Sequence, residues 1–146
     1  MTAGTTNLAA KLLGAWRLVT WSLVYADGRP AEYPLGADAC GIILYTPDGH
    51  VSATLMRKSR PRAAPGSAEE AATAYADCFA YAGRYVVRDG AVHHTIEIAT
   101  NPALIGMTSM RQIDLAGERL TLSGPDFAAG SPRTQCIVWQ RAASLA

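Results

Sequence analysis

Two tyrosines four residues apart, Tyr81 and Tyr85, a histidine pair, His93-His94, and one arginine, Arg111, are the residues of this chain best suited to chemistry. An imidazole titrates near neutral pH and serves as a general base. A guanidinium stabilises charge developing on an oxygen, and a phenol donates a hydrogen bond to it. Brought together in an apolar space, such groups suit a carboxylate, an enolate or a phenol. They would also suit proton transfer on a carbonyl compound, with His94 as base, Arg111 facing the oxyanion and Tyr85 or Tyr81 as donor.

Whether they meet depends on the strands that carry them. Tyr81–Val87 and Val92–Ile98 both read as strands, with Asp89-Gly90 between them. Asp-Gly between two β-rich runs marks a hairpin, because glycine takes a positive φ without steric cost. A two-residue loop opposes Val87 with Val92, Tyr85 with His94 and Tyr81 with Ile98. Alternation then places Tyr81, Tyr85, Val87, Val92, His94, Ile96 and Ile98 on one face, with Arg84, His93, Thr95 and Glu97 on the other. The apolar face is expected inside and the charged one in water.

Arg111 belongs to the next strand, Met107–Leu115, on the face of Met107, Ser109, Ile113 and Leu115. With Asn101–Leu104 as the connection, it lies opposite His94. Ala116-Gly117 as a turn opposes Ile113 with Leu120 and Arg111 with Leu122. The expected pocket is Tyr81, Tyr85, His94 and Arg111 among Ile96, Ile113 and Leu122. A buried arginine keeps its proton and needs partners. Glu97 and Asp114 face outward in this arrangement, so water or an anionic or carbonyl-bearing ligand would meet it. The plainer alternative is a filled interior, with Arg111 on loop carbonyls and Tyr85 and His94 satisfying each other.

The remaining strands are Ala15–Tyr25, Cys40–Thr46, His50–Arg57, Glu118–Ser123 and Arg133–Arg141. Ala15–Tyr25 is apolar on both faces: Trp16, Leu18 and Val24 on one, Val19, Trp21, Leu23 and Tyr25 on the other. The second set is a candidate homodimer patch. Pro47-Asp48-Gly49 turns the second strand into the third, with a two- or three-residue loop, so the inward face of that pair stays open. Asn7–Leu13 is expected to form a turn or two of helix. Ser67-Ala68-Glu69-Glu70 is a capping box opening a short helix to about Cys78. Gly124–Pro132 reads as a loop. Eight strands joined in sequence by short turns pair antiparallel and close into an up-and-down barrel. Such a barrel has room for its own side chains or one small ligand.

Other chemistries find little support. The net charge of +1 gives no steering toward nucleic acid or a membrane surface, and no apolar run is long enough to span a bilayer. The N-terminus lacks a signal-peptide layout, and Cys40, Cys78 and Cys136 form no disulfide framework, so a cytoplasmic protein is expected. His93 and His94 point to opposite faces of a strand and cannot share an ion. Only His50 remains, so no metal is expected. Ser52, Ser109 and Ser123 carry no nucleophile signature, no phosphate loop occurs, and no cofactor is expected. Arg57, Lys58, Arg60 and Arg62 read as a solvated loop, and Asp77 as a capping or surface position.

Gly14-Ala15-Trp16 resembles the Gly-x-Trp signature of lipocalins, and Arg141 matches the basic residue that closes such barrels over that tryptophan. More specifically, the chain resembles the bacterial and fungal lipocalin-like domain family. The stretches that carry the resemblance are Leu12–Val19, Gly41–His50, Tyr81–Tyr85, His93–Glu97 and Gly117–Leu122. It implies one lipocalin-like domain over residues 1–146: an all-β, eight-stranded antiparallel barrel with an internal cavity and one short helix between strands 3 and 4. Trp16 should plug its closed end. The expected function is binding a small apolar molecule with a polar or anionic end. The alternative is a cofactor-independent isomerase or cyclase acting on a carbonyl or polyketide-like substrate.

Overall fold

Each strand pairs with the next in sequence, and the last returns to the first. In the computed structural model, which describes residues 3–125 and 132–145, these are β1 (Gly14–Tyr25), β2 (Cys40–Tyr45), β3 (His50–Met56), β4 (Cys78–Arg88), β5 (Ala91–Ala99), β6 (Thr108–Ala116), β7 (Arg119–Pro125) and β8 (Arg133–Arg141). All pairs are antiparallel and the barrel is closed, so no strand edge is left open. Helix α1 (Ala3–Leu12) precedes β1, and α2 (Ala68–Ala76) lies between β3 and β4. Among the described residues no helix is long and apolar enough to cross a membrane.

Helix α1 is longer than the expected turn or two. It packs Leu8, Ala9 and Leu12 on the core at the end where β1 begins. Trp16 is fully buried there, and its indole N–H donates to the Leu12 carbonyl at 2.9 Å. The Arg141 guanidinium lies 4.1 Å from the Trp16 ring centre, and its Nη1 donates to the Leu13 carbonyl at 3.0 Å. Trp16 therefore plugs this end, as expected, and Arg141 ties the last strand to the helix. Ser67 caps α2 by accepting from the Glu70 N–H, while Glu70 reaches back to the N–H of Gly66. The basic loop is not simply solvated. Arg57 bonds Asp77, which caps the end of α2, and Arg60 donates to the Ala74 carbonyl.

Two β-bulges correct the expected faces. Between Leu18 and Thr20 the β1–β8 register slips, leaving Val19 unmatched. An extra residue in one strand reverses which side chains point inward beyond it. Trp16 and Leu18 point inward before the bulge; Trp21 and Leu23 do so after it. The two-faced apolar pattern of β1 is thus one inner face read across a bulge. The candidate homodimer patch of Val19, Trp21, Leu23 and Tyr25 does not exist as such, because Leu23 is buried and Trp21 lines the interior. The second bulge lies between Ala82 and Gly83, opposite the unmatched Glu97. Val87–Val92 and Tyr85–His94 pair as expected, but Tyr81 meets Ala99. Ile98 is turned outward and is 66% exposed, which removes it from the expected lumen. A Cβ on Gly83 would collide with the Thr95 carbonyl oxygen, so the close approach at this bulge requires glycine.

Elsewhere the register slides without changing face. Arg111 pairs with Val92 rather than His94, which faces Ser109. Ile113 pairs with Leu122 rather than Leu120, because the turn is Gly117-Glu118. Each shift totals two residues, one full pleat, so the inward set survives. Met107 lies just before β6 and is 37% exposed rather than inside. The β2–β3 loop is Pro47-Asp48-Gly49, closed by the Thr46 N–H on the His50 carbonyl, which puts Ile43, Tyr45, Val51, Ala53 and Leu55 inside. Gly124 and Pro125 belong to β7, and most of the expected 124–132 loop lies outside the described residues.

Candidate functional site

The barrel is filled at one end only. Trp16, Tyr45, Val51, Val87, Val92 and Leu120 pack together where β1 starts. Toward the other end lies a cavity of about 190 Å³. Its apolar walls include Trp21, Phe79, Ile96 and Leu122, and residues Asn101 and Leu104 of the β5–β6 connection reach it from the rim. Its polar groups are Tyr81, His94, Ser109, Arg111, Gln135 and the indole of Trp139.

His94 sits on β5 with 1% exposure and has both ring nitrogens engaged. Its Nε2 is 2.8 Å from the Tyr45 hydroxyl, and its Nδ1 is 2.9 Å from that of Tyr81. Burial, with the Arg111 charge second and His93 third, pushes its pKa from the usual 6.5 down to about 3. The expectation of a base titrating near neutral pH is therefore corrected: His94 is a neutral imidazole clamped between two phenols. Those phenols hold their protons as well. Burial pushes Tyr81 up to about 12 and Tyr45 well above its ordinary value.

Arg111, on β6, is 6% exposed and lines the cavity, with Nη1 donating to the Met110 carbonyl at 3.0 Å. Its side chain runs against Gly124, where a Cβ would lie 2.9 Å from Nη1. Glycine on β7 thus makes room for the arginine inside the barrel. Tyr85 is brought inward but not to the cavity. Its hydroxyl donates to the Thr46 carbonyl at 2.8 Å, and its ring stands edge-on to Tyr45 with centres 4.9 Å apart. Ile113 packs on the core rather than the cavity wall. Of the expected pocket residues, the structure brings together Tyr81, His94, Ile96, Arg111 and Leu122.

Three further residues matter, and sequence reasoning missed them. Tyr45 lay on a strand pair whose inward face was open, and Trp21 lay beyond an unseen bulge. Trp139 took no part in the expected pocket. It is 1% exposed, lines the cavity, and its indole N–H reaches no acceptor among the described residues. The other two indoles are satisfied: Trp16 by Leu12, and Trp21 by the Gln135 side-chain oxygen at 3.1 Å. Among the described residues no three His, Cys, Asp or Glu side chains gather as a metal-binding set.

A closed eight-stranded barrel that is packed at one end and hollow at the other has the architecture of small-molecule binders. The sequence pattern of the lipocalin-like domain family matches residues 13–142, and the chain belongs to that family. No curated protein matches it. Among solved structures, a redesigned β-barrel is similar over 92% of this chain and 95% of its own, at 13% identity and a TM-score of 0.49. At that level the likeness carries no inference about this chain.

Proposed function

We propose that this chain binds a small, mostly apolar molecule in its lumen, with an oxygen-bearing polar or anionic end directed at the polar groups of the cavity. The observation that carries this reading is an apolar cavity of about 190 Å³ with Tyr81, His94 and Arg111 in its wall; Trp139 lines it as well, and its buried indole N–H has no acceptor among the described residues. A buried donor left unmade costs about 1–3 kcal/mol, and a ligand oxygen would relieve it. Arg111 and Tyr81 line the same space and are donors of the same kind. Size narrows the class further. A dry cavity of about 150 Å³ takes one benzene ring, so about 190 Å³ suits a ring with a two- or three-atom polar substituent. Proton transfer by His94, the isomerase or cyclase alternative, is less favoured, because both of its nitrogens are engaged and its basicity is suppressed.

Phenylacetate is a suitable probe. The chain has three tryptophans, so a ¹⁵N–¹H spectrum has three indole peaks. On titration the Trp139 peak should move downfield and saturate, because it alone gains a hydrogen bond. Ser109→Leu, which extends a wall residue into the cavity, should weaken that response at least tenfold while leaving the melting temperature unchanged or raised. A Trp139 peak that stays fixed at saturating phenylacetate would overturn the reading.

A further inference from the structure

The polar side of the cavity shows a directional preference once hydrogens are assigned to the Tyr45–His94–Tyr81 chain. A neutral imidazole has one N–H and one lone pair, so one tyrosine donates to it and the other accepts from it. Tyr45 is 2% exposed, and its hydroxyl has His94 Nε2 as its hydrogen-bond partner. If Nε2 carried the proton, the Tyr45 hydrogen would be stranded in the core, at the cost of an unmade buried bond. With the proton on Nδ1, Tyr45 donates to Nε2 and Nδ1–H donates to the Tyr81 oxygen. The Tyr81 hydroxyl hydrogen is then released from the chain, and Tyr81 lines the cavity.

Acceptors on the wall are few: the Ser109 hydroxyl can accept or donate, and the two amide oxygens are taken. The Gln135 side-chain oxygen is occupied by the Trp21 indole N–H, and that of Asn101 by the Ala103 N–H. Both donors are N–H groups, so the orientation of each amide is forced. Arg111, whose guanidinium carries donors only, lines the same wall.

Resting on the lumen-binding reading above, we propose that Tyr45 and His94 are positioning residues that turn the Tyr81 O–H into the cavity as a ligand-directed donor. The ligand they select carries an acceptor oxygen, a carboxylate or a carbonyl, rather than a donor group such as an amine. The shared chemistry is that oxygen, and charge is a separate variable for the test to resolve.

Two measurements on the full chain test this. The first is a long-range ¹H–¹⁵N spectrum of the free protein, in which His94 should carry its proton on Nδ1. Tyr45→Phe removes the group that fixes the proton on Nδ1, so both tautomers should become populated as Tyr81 both accepts from and donates to Nδ1. The second is the affinity for phenylacetate, phenylacetone and phenethylamine. Both oxygen ligands should bind more tightly than the amine, and their order shows whether charge adds to acceptance. Tyr81→Phe should weaken phenylacetate about tenfold or more, the ratio expected of a bond to a charged group. Tyr45→Phe should cause a smaller loss without touching the ligand, and the double variant should be no worse than Tyr81→Phe alone. An Nε2–H imidazole in the wild type, an amine bound as tightly as the oxygen ligands, or additive losses would each overturn the proposal. If none of the three ligands binds, the lumen-binding reading fails with it, while the spectrum of the free protein still judges the relay by itself.

Discussion

Burial deprives His94 of its charge, and that has a consequence for stability. The groups facing it are Tyr45, Tyr81 and Arg111, none of which offers it a negative charge at neutral pH. The unfolded chain binds a proton at His94 near pH 6.5, whereas the folded chain does so only near 3. Stability from this residue is therefore complete above about pH 6.5 and falls as pH drops toward 3, by about 1.4 kcal/mol per pH unit. Urea unfolding of wild type and His94→Gln should show it. The difference between the two should shrink by on the order of 3 kcal/mol between about pH 6.5 and pH 4, and parallel curves would contradict it. At this scale the sequence showed that Tyr81, His94 and Arg111 point inward, because alternation fixes direction. It could not show that Tyr45 would take the second imidazole nitrogen, since that contact joins residues 49 positions apart.

Strands were legible where alternation was unbroken and misleading where it was not. β4 and β5 pair as the Asp-Gly turn dictates from Val87–Val92 through Tyr85–His94, and depart at Glu97. β1 departs at Val19. Bulges leave a weak trace in sequence, because the extra residue need not be special. Gly83 is the exception in hindsight, a glycine in the middle of a strand at a close backbone approach. Gly83→Ala should destabilise the barrel by about 1–3 kcal/mol or more, since its Cβ would meet backbone that cannot give way. Chemical denaturation would measure this, and a loss below about 0.5 kcal/mol would mean that the bulge does not depend on glycine. The pleat-wide slips at β5–β6 and β6–β7 have another origin, since loop lengths set register and a shift of two residues preserves every face.

The whole molecule divides its interior between a packed plug and an unfilled cavity. Arg141 belongs to the plug, stacking on Trp16, donating to the Leu13 carbonyl and pairing with Glu118 at 3.3 Å. Arg141→Ala should cost about 2–4 kcal/mol while leaving the ligand affinity of the folded fraction within about twofold, because it lies outside the cavity wall. A melting temperature equal to that of wild type would contradict the first part, and a lost affinity the second. The closed barrel and its Gly-x-Trp plug were readable from turns, strand count and motif, all of them local signals. The volume left unfilled was not readable, since it depends on how side chains from all eight strands meet. The most direct measurement is diffraction from crystals grown with saturating phenylacetate. The ring should lie among Trp21, Phe79 and Leu122, with its carboxylate within hydrogen-bond reach of Trp139 Nε1 and the Tyr81 hydroxyl. Phenylacetate found only on the outer surface, or seated in the lumen with its carboxylate turned toward the rim, would contradict it.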